Sequence, residues 1–171
     1  LLKYAICFAL ASLSSLLSQN SKSYFDCPCP QIIAHQGSSL ELPPNTIEAF
    51  ELAINQGADI IELDIWQTKD EIWAVIHDEN LSRITGIDKI IGDVSLSEIR
   101  NFDAGFGFYK NNPSKIKAKN IQYYIPSLEQ IFKKFPNQRI NIEIKDPDET
   151  GLIKLIELIN KYNMQDNILV V

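Results

Sequence analysis

Short apolar runs alternate along the chain with segments of helical periodicity. The apolar runs predict five strands, at about 31–35, 59–66, 72–77, 139–144 and 167–171. Several of these runs are apolar at nearly every position, which is typical of parallel strands that helices cover on both faces. The alternation of strands and helices therefore predicts the α/β class.

Helix signals separate these strands. Asn45 is the predicted N-cap of a helix that extends to about Gln56. Ser95 and Ser127 each begin a capping box, so each predicts a short helix. A further helix is predicted at about 150–162, irregular structure at 78–94 and a long loop at 103–125. Long loops inside compact domains are often functional.

Ionisable residues stand at the ends of four predicted strands. They are His35 in the first, Glu62 and Asp64 in the second, His77 in the third, and Glu143 and Lys145 in the fourth. The carboxyl ends of parallel strands meet on one side of a (β/α)₈ barrel, where the active sites of that fold lie. A doubly wound sheet also binds ligands there, but no glycine-rich phosphate loop follows the first strand. The pattern favours a TIM barrel with one site at these strand ends.

The carboxylates among these residues suggest a metal site. Glu62 and Asp64 are two residues apart on a strand, so their side chains leave the same face. Like charges this close raise each other's pKa unless a cation lies between them, and carboxylate oxygens suit Mg²⁺ or Ca²⁺. Glu143 and Lys145 repeat this spacing. The alternative is a structural ion-pair network in which Lys145 neutralises Glu143.

His35 and His77 are the only histidines in the chain. Either one alone is typical of a hydrogen-bonded structural residue. Two of them beside carboxylates indicate a general acid and a general base on the two sides of a scissile bond. Metal ligation is an alternative role, although zinc sites show tighter spacing.

Composition limits the classes of partner. The chain has 171 residues, 45% of them hydrophobic, and a net charge of −6. This length suits one domain, and the acidic balance argues against nucleic acid as a partner. A small anionic substrate remains compatible, since a metal or a local lysine reverses the field. No feature indicates a protein partner.

The N-terminal residues differ in composition from the rest. Residues 1–23 predict a signal peptide or N-terminal anchor, hence an exported or membrane-anchored protein, and the alternative is an amphipathic helix packed on the domain. Residues 24–30 are a predicted linker, and residues 31–171 the predicted domain. Cys27 and Cys29 within the linker favour two thiols or one local disulfide over a metal site.

Residues 31–145 resemble the glycerophosphodiester phosphodiesterase family. The matching segments, in order, are Ile32–Gly37, Pro44–Phe50, Gly57–Asp64, Thr68–Asp70, Ile76–Arg83, Ile125–Glu129 and Ile142–Lys145. The ordered series is specific, although no single segment would be.

The resemblance implies a TIM (β/α)₈ barrel of the phospholipase-C-like phosphodiesterase type, with an insertion at about 78–125. Such a barrel has eight strands and about 250 residues, so the five predicted strands indicate a truncated barrel whose edge strands are unpaired. The implied reaction is hydrolysis of glycerophosphodiesters to an alcohol and glycerol 3-phosphate.

The resemblance also implies residue roles. Glu62, Asp64 and Glu143 would bind a divalent metal, Mg²⁺ or Ca²⁺; His35 and His77 would be the acid/base pair; and Lys145 would contact the phosphate of a glycerophosphodiester or lipid-derived substrate. Two positions depart from the family pattern, since Gln36 replaces an arginine and Pro44 replaces a glutamate. Gln36 can still donate hydrogen bonds to phosphate but carries no charge, which predicts weaker phosphate binding with the metal site and histidines intact.

Two alternative functions belong to different classes. A non-catalytic barrel would use the fold for binding or as a scaffold, with Gln36 and Pro44 marking loss of the phosphate site. A phospholipase-D-like lyase would act on lysolipids or sphingolipids, with the aromatic segment 106–109 in contact with lipid. Ordinary packing over the barrel mouth is the simpler role for that segment.

Overall fold

The computed structural model describes residues 24–25, 30–115, 121–146 and 148–171. The predicted signal peptide or anchor at 1–23 lies outside these ranges, as do Cys27, Cys29 and most of the predicted linker. No helix within the described ranges is both long and apolar enough to cross a membrane.

Five strands form one sheet. They are β1 (Ile33–His35), β2 (Ile60–Gln67), β3 (Trp73–Val75), β4 (Arg139–Ile144) and β5 (Ile168–Val170). Each strand falls on one of the predicted runs. The spatial order is β1-β2-β4-β5 with every neighbouring pair parallel, and β3 lies beside β2. The predicted α/β class with a parallel sheet is confirmed.

The third strand runs in the opposite direction from the other four. β3 pairs antiparallel with β2, so the expectation that His77 ends a parallel strand is wrong. Only residues 68–72 separate the two strands, whereas a parallel crossover needs a dozen residues or more. The hairpin nevertheless returns the chain to the site, because the backbone N–H of Ile76 donates to the carbonyl of Asp64 at 2.9 Å. His77 is the next residue, so it is brought to the same level of the sheet as Asp64.

Six helices accompany the sheet in the described part of the chain, with a 3₁₀ turn at Ile91–Asp93. The helices are α1 (Ile47–Asn55), α2 (Ser82–Thr85), α3 (Leu96–Ile99), α4 (Phe106–Asn111), α5 (Leu128–Lys134) and α6 (Glu149–Lys161). Both predicted capping boxes are present, at the start of α3 and of α5.

Two helix predictions are wrong. The N-cap of α1 is Thr46, whose hydroxyl accepts from the N–H of Ala49, and not Asn45. Asn45 instead adopts a left-handed backbone conformation and turns its carboxamide to Asp64. The predicted loop at 103–125 contains α4, in which Gly107 packs closely on the carbonyl of Arg83.

Strand alternation separates the core from the site. Ile61, Leu63 and Ile65 of β2 face the helices in the main hydrophobic cluster, which also contains Phe50 and Phe132. Glu62 and Asp64 therefore face the opposite side of the sheet. A second apolar cluster lies under the 74–125 region. The ionisable side chains are therefore held on a sheet whose other face is buried.

Candidate active site

The register of the parallel strands brings the predicted site residues together. His35 of β1 is the direct partner of Glu62 on β2. Asp64, two residues further on, is the direct partner of Glu143 on β4. The pairing across three adjacent strands thus gathers one histidine and three carboxylates, as expected from their positions at strand ends.

The three carboxylates form a compact acidic cluster. One oxygen from each of Glu62, Asp64 and Glu143 lies within 4.8 Å of the others. The ammonium of Lys145 bridges two of them, at 2.6 Å from Glu143 Oε1 and 2.9 Å from Asp64 Oδ1. The ion pair anticipated between Lys145 and Glu143 is therefore present, and it coexists with an oxygen arrangement that suits a hard cation.

Asp64 lies at the centre of the cluster and is fully buried. Its Oδ2 accepts hydrogen bonds from the carboxamides of Gln36, at 2.7 Å, and Asn45, at 2.9 Å. Burial alone would raise the pKa of Asp64, but the Lys145 ammonium and the Asn45 carboxamide lower it below its ordinary value. Asp64 is therefore ionised at neutral pH.

Glu62 shows the opposite shift. Burial raises the pKa of Glu62; the N–H of Gln36 opposes this by donating to Oε2 at 3.0 Å, and the charge of Asp64 adds to it. The two carboxylates of β2 therefore differ, because Asp64 has the lysine and both carboxamides whereas Glu62 has one backbone donor. The Gln36 N–H and His35 offset only part of the repulsion and burial at Glu62, and a cation there would relieve the remainder.

The acidic cluster passes a test of fit for a divalent metal. Its donors are carboxylate oxygens, the ligands that Mg²⁺ and Ca²⁺ prefer. Asp64 Oδ1 is buried, and its neighbour at 2.9 Å is the Lys145 ammonium, which helps to keep this carboxylate ionised. Glu62, Asp64 and Glu143 are the residues that would hold the ion.

His35 stands at the open side of the cluster. Its Nε2 lies 3.9 Å from Glu62 Oε2, and 73% of its side chain is exposed. The hydroxyl of Ser39 donates to the His35 carbonyl at 3.0 Å, which closes the loop after β1. The imidazole is thus free to contact a ligand while its backbone is held.

His77 is oriented by a chain of polar contacts. Its Nδ1 lies 2.7 Å from Asp78 Oδ1, and the guanidinium of Arg83 contacts both oxygens of Asp78. Arg83 holds the pKa of Asp78 below its ordinary value, so the carboxylate stays charged. The indole of Trp66 donates to the His77 carbonyl at 3.0 Å. These contacts direct Nε2 of His77 away from Asp78.

Three polar residues at the site were missed by reasoning from the sequence. The sequence pattern predicts that Asn45 is a helix cap, and it includes Asp78 and Arg83 only as parts of a segment that matches the family. A signal existed for Asp78, because a carboxylate adjacent to a candidate acid/base histidine is a common orienting partner. Arg83 and Asn45 required the tertiary structure.

The fold and the site together define the class: an α/β barrel-type protein with a carboxylate and histidine site at the carboxyl ends of its parallel strands. The family model described as the glycerophosphoryl diester phosphodiesterase family matches residues 35–168. The chain belongs to this family, which confirms the resemblance of its motifs.

Individual relatives agree with this assignment. The chain is 35% identical over 158 residues to Lysophospholipase D GDPD1 of Homo sapiens, covering 92% of this chain and 49% of that protein. It is 36% identical over 148 residues to the glycerophosphodiester phosphodiesterase of Caldanaerobacter subterraneus subsp. tengcongensis, covering 81% of this chain and 56% of that protein. The chain therefore spans about half the length of the curated relatives it matches.

Solved structures match the fold. The glycerophosphodiester phosphodiesterase of Agrobacterium tumefaciens aligns with a TM-score of 0.71 and 30% identity, over 82% of this chain and 57% of that one. A phosphodiesterase of Oleispira antarctica, solved in complex with the product sn-glycerol-3-phosphate, aligns with a TM-score of 0.68 and 30% identity, over 82% of this chain and 56% of that one.

Proposed function

We propose that the protein hydrolyses glycerophosphodiesters to an alcohol and glycerol 3-phosphate, using a divalent metal and histidine acid/base catalysis. The observation that carries this proposal is the convergence of His35, His77 and the Glu62, Asp64 and Glu143 cluster at one end of the sheet. The family assignment and the relative solved with sn-glycerol-3-phosphate support it.

The acidic cluster would hold Mg²⁺ or Ca²⁺. Such an ion would draw charge from a phosphate oxygen and so make phosphorus easier to attack. Lys145, whose side chain is only 15% exposed, stays charged because its contacts with Glu143 and Asp64 outweigh the effect of burial and raise its pKa. Its ammonium would neutralise a second phosphate oxygen.

The two histidines would move the protons of the reaction. One imidazole takes a proton from the attacking water as the new P–O bond forms, and the other gives a proton to the alcohol oxygen as the old P–O bond breaks. Gln36 would bind a phosphate oxygen through its carboxamide. In the structure this carboxamide donates to Asp64, so substrate binding and the acidic cluster would share it.

Lysophospholipids are a second candidate substrate class. The relative from Homo sapiens is named a lysophospholipase D, and it aligns with 92% of this chain. A lysophospholipid is also a phosphodiester of glycerol, so the same groups would act on it. The aromatic segment at α4 supports contact with an acyl chain, because Phe106 is exposed.

We also propose that the protein is exported or held at a membrane by residues 1–23. Their short apolar stretch behind Lys3 supports this. Fractionation of the producing cells, with deletion of residues 1–23 as the comparison, tests it; equal amounts of both forms in the cytoplasmic fraction would contradict it.

One assay tests the proposed activity. The phosphate-bearing product is measured with and without EDTA: glycerol 3-phosphate from glycerophosphoglycerol and glycerophosphocholine, and acylated glycerol 3-phosphate from a lysophospholipid. The same assay is run on His35→Ala and His77→Ala. We expect chelation and either substitution to abolish release. Activity that survives chelation or both substitutions would overturn the mechanism, and the preferred substrate decides between the two classes.

A further inference from the structure

The two oxygens of the Asp64 carboxylate have different surroundings. Oδ2 accepts hydrogen bonds from two carboxamides, Gln36 Nε2 at 2.7 Å and Asn45 Nδ2 at 2.9 Å. Oδ1 lies 2.9 Å from the Lys145 ammonium. A carboxylate oxygen has about two lone pairs, so both lone pairs of Oδ2 are already used. Oδ1 is therefore the oxygen of Asp64 that can accept a further partner.

Asn45 is held in place beside this carboxylate. Its backbone has a φ of 59°, in the left-handed region that asparagine adopts more often than most residues. Its N–H donates to the Gln36 carbonyl at 3.1 Å, so the two carboxamides are joined to each other as well as to Asp64. The residue is only 4% exposed, and its Oδ1 has no hydrogen-bond partner within the described residues. Asp64 is thus the partner that orients this buried carboxamide.

Glu62 is restrained by the same loop. Its Oε2 accepts from the backbone N–H of Gln36 at 3.0 Å. Gln36 therefore contacts both carboxylates of β2, Asp64 through its side chain and Glu62 through its backbone. Each of these two carboxylates has one oxygen engaged with an uncharged donor, which leaves the other oxygen as the better ligand for a cation.

Mg²⁺ and Ca²⁺ use carboxylates differently. Ca²⁺ takes about six to eight oxygens and often binds both oxygens of one carboxylate, whereas Mg²⁺ requires an octahedral arrangement and keeps several waters. We propose that Gln36 and Asn45 restrict Asp64 to one metal-binding oxygen, and so shift the preference of the acidic cluster toward Mg²⁺ and away from Ca²⁺. Asn45 is then a positioning residue that acts on the metal through Asp64. The inference rests on the proposed function, whose metal it specifies.

The test measures metal binding without substrate. Asn45→Gly removes the carboxamide without backbone strain, because glycine adopts a left-handed φ freely. Isothermal titration calorimetry of the full chain with MgCl₂ and with CaCl₂ at pH 7 gives the two Kd values. We expect the Kd for Mg²⁺ to rise about tenfold, as is typical when a group that hydrogen-bonds a metal ligand is lost. The Kd for Ca²⁺ should rise less, because the freed Oδ2 becomes a second ligand, so the ratio of the two Kd values should move about fivefold toward Ca²⁺.

A second variant and a matched control accompany this one. Gln36→Gly removes the other carboxamide from a position that is also left-handed, with a φ of 57°, and should move the ratio in the same direction. Asn163 has the same backbone conformation, with a φ of 53°, but it is exposed after α6, on the helix-covered side of the sheet. Asn163→Gly should leave both Kd values unchanged.

The outcomes separate this inference from the proposed function. If both carboxamide variants weaken the two ions equally, or move the ratio toward Mg²⁺, the inference is overturned and the metal-dependent reaction still stands. If neither ion binds the wild-type protein, the metal requirement of the proposed function fails and the inference fails with it.

Discussion

Asp64 depends on two uncharged neighbours as well as on the Lys145 ammonium. Its Oδ2 accepts from Gln36 and Asn45, two carboxamides that approach from the loop between β1 and α1. Gln36 reaches it from a left-handed backbone conformation, which is uncommon outside glycine and is found at functional sites. The position where the family pattern has arginine is therefore part of the support of the acidic cluster.

Removing the Gln36 carboxamide should slow turnover. Gln36→Ala deletes a hydrogen bond to a buried carboxylate, and such bonds are worth about 1.5–3 kcal/mol, so we expect a loss of about 10- to 100-fold in kcat/KM. Ser38→Ala in the same loop, whose hydroxyl donates to Gln56, is the control. Steady-state kinetics that are identical for wild type and Gln36→Ala would contradict this role.

Asp78 should act on turnover through His77. Asp78→Asn keeps the shape of the side chain but removes the charge that pairs with Arg83, so the imidazole loses its fixed orientation. We expect kcat to fall by up to about 100-fold with little change in KM, since misplaced catalytic groups have effects of that size. Asp88→Asn, an exposed aspartate in the same region, is the control. If KM instead rose by as large a factor as kcat fell, Asp78 would have a role in substrate binding.

At the scale of elements, the contact between α2 and α4 positions Arg83. A Cβ at Gly107 would lie 1.9 Å from the Arg83 carbonyl oxygen, whereas a Cβ at Gly92 would meet nothing within 4 Å. Gly107→Ala should therefore destabilise the protein by about 1–3 kcal/mol through overpacking, and Gly92→Ala should not. Urea unfolding measures both variants. Comparable stabilities would show that α4 moves without penalty.

Helices α5 and α6 are joined by a carboxylate. Glu129 accepts from Lys161 at 2.8 Å and from Tyr162 at 2.6 Å, and these bonds lower its pKa to about 2. Because the folded value is below the ordinary 4.5, this contribution to stability is complete above pH 4.5 and is lost as the pH falls toward 2. Glu129 therefore links the two helices when its carboxyl group is ionised.

The acid limb of unfolding tests this link. Glu129→Gln should flatten the dependence of the urea midpoint on pH below 4.5, since the side chain no longer titrates. Glu157→Gln changes an exposed carboxylate on α6 and is the control. A pH profile of Glu129→Gln that parallels wild type would mean that other carboxylates determine the acid limb.

At the scale of the whole molecule, four parallel strands and one hairpin form an open sheet with edges at β1 and β5. The site lies on one face of this sheet, and the apolar cluster with its helices lies on the other.

The Glu62 carboxyl binds its proton more tightly in the folded state than in the unfolded state. Its contribution to folding stability is therefore complete below its ordinary pKa of 4.5 and is lost as the pH rises through the raised pKa. At neutral pH the ionised Glu62 carboxylate therefore opposes folding.

A bound divalent cation should reverse this effect. We expect Mg²⁺ or Ca²⁺ to raise Tm at pH 7 and to have a smaller effect near pH 4, because protonated carboxyls are poor ligands. Glu62→Gln should remove most of the rise, whereas Glu41→Gln, on the exposed loop after β1, should not. A rise that is equal in both variants would place the ion elsewhere.

Much of this structure was predictable from local pattern. The five strands, the two capping boxes and the set of ionisable strand ends are encoded by residues that are neighbours in sequence, since hydrophobic period and capping depend on short spacings. The order of the motifs was sufficient to identify the family. The roles of the site residues remain predictions, as does the division of the chain at residues 23 and 30.

Only the tertiary structure decided how these parts meet. The turn of Asn45 toward Asp64 joins residues that are 19 positions apart. The reversal of β3 and the contacts of Asp78 with Arg83 and His77 are closer in sequence, but no local pattern specified them. The physical reason is that hydrophobic period determines which face of an element is buried, whereas the partner of a polar group depends on the register between distant segments.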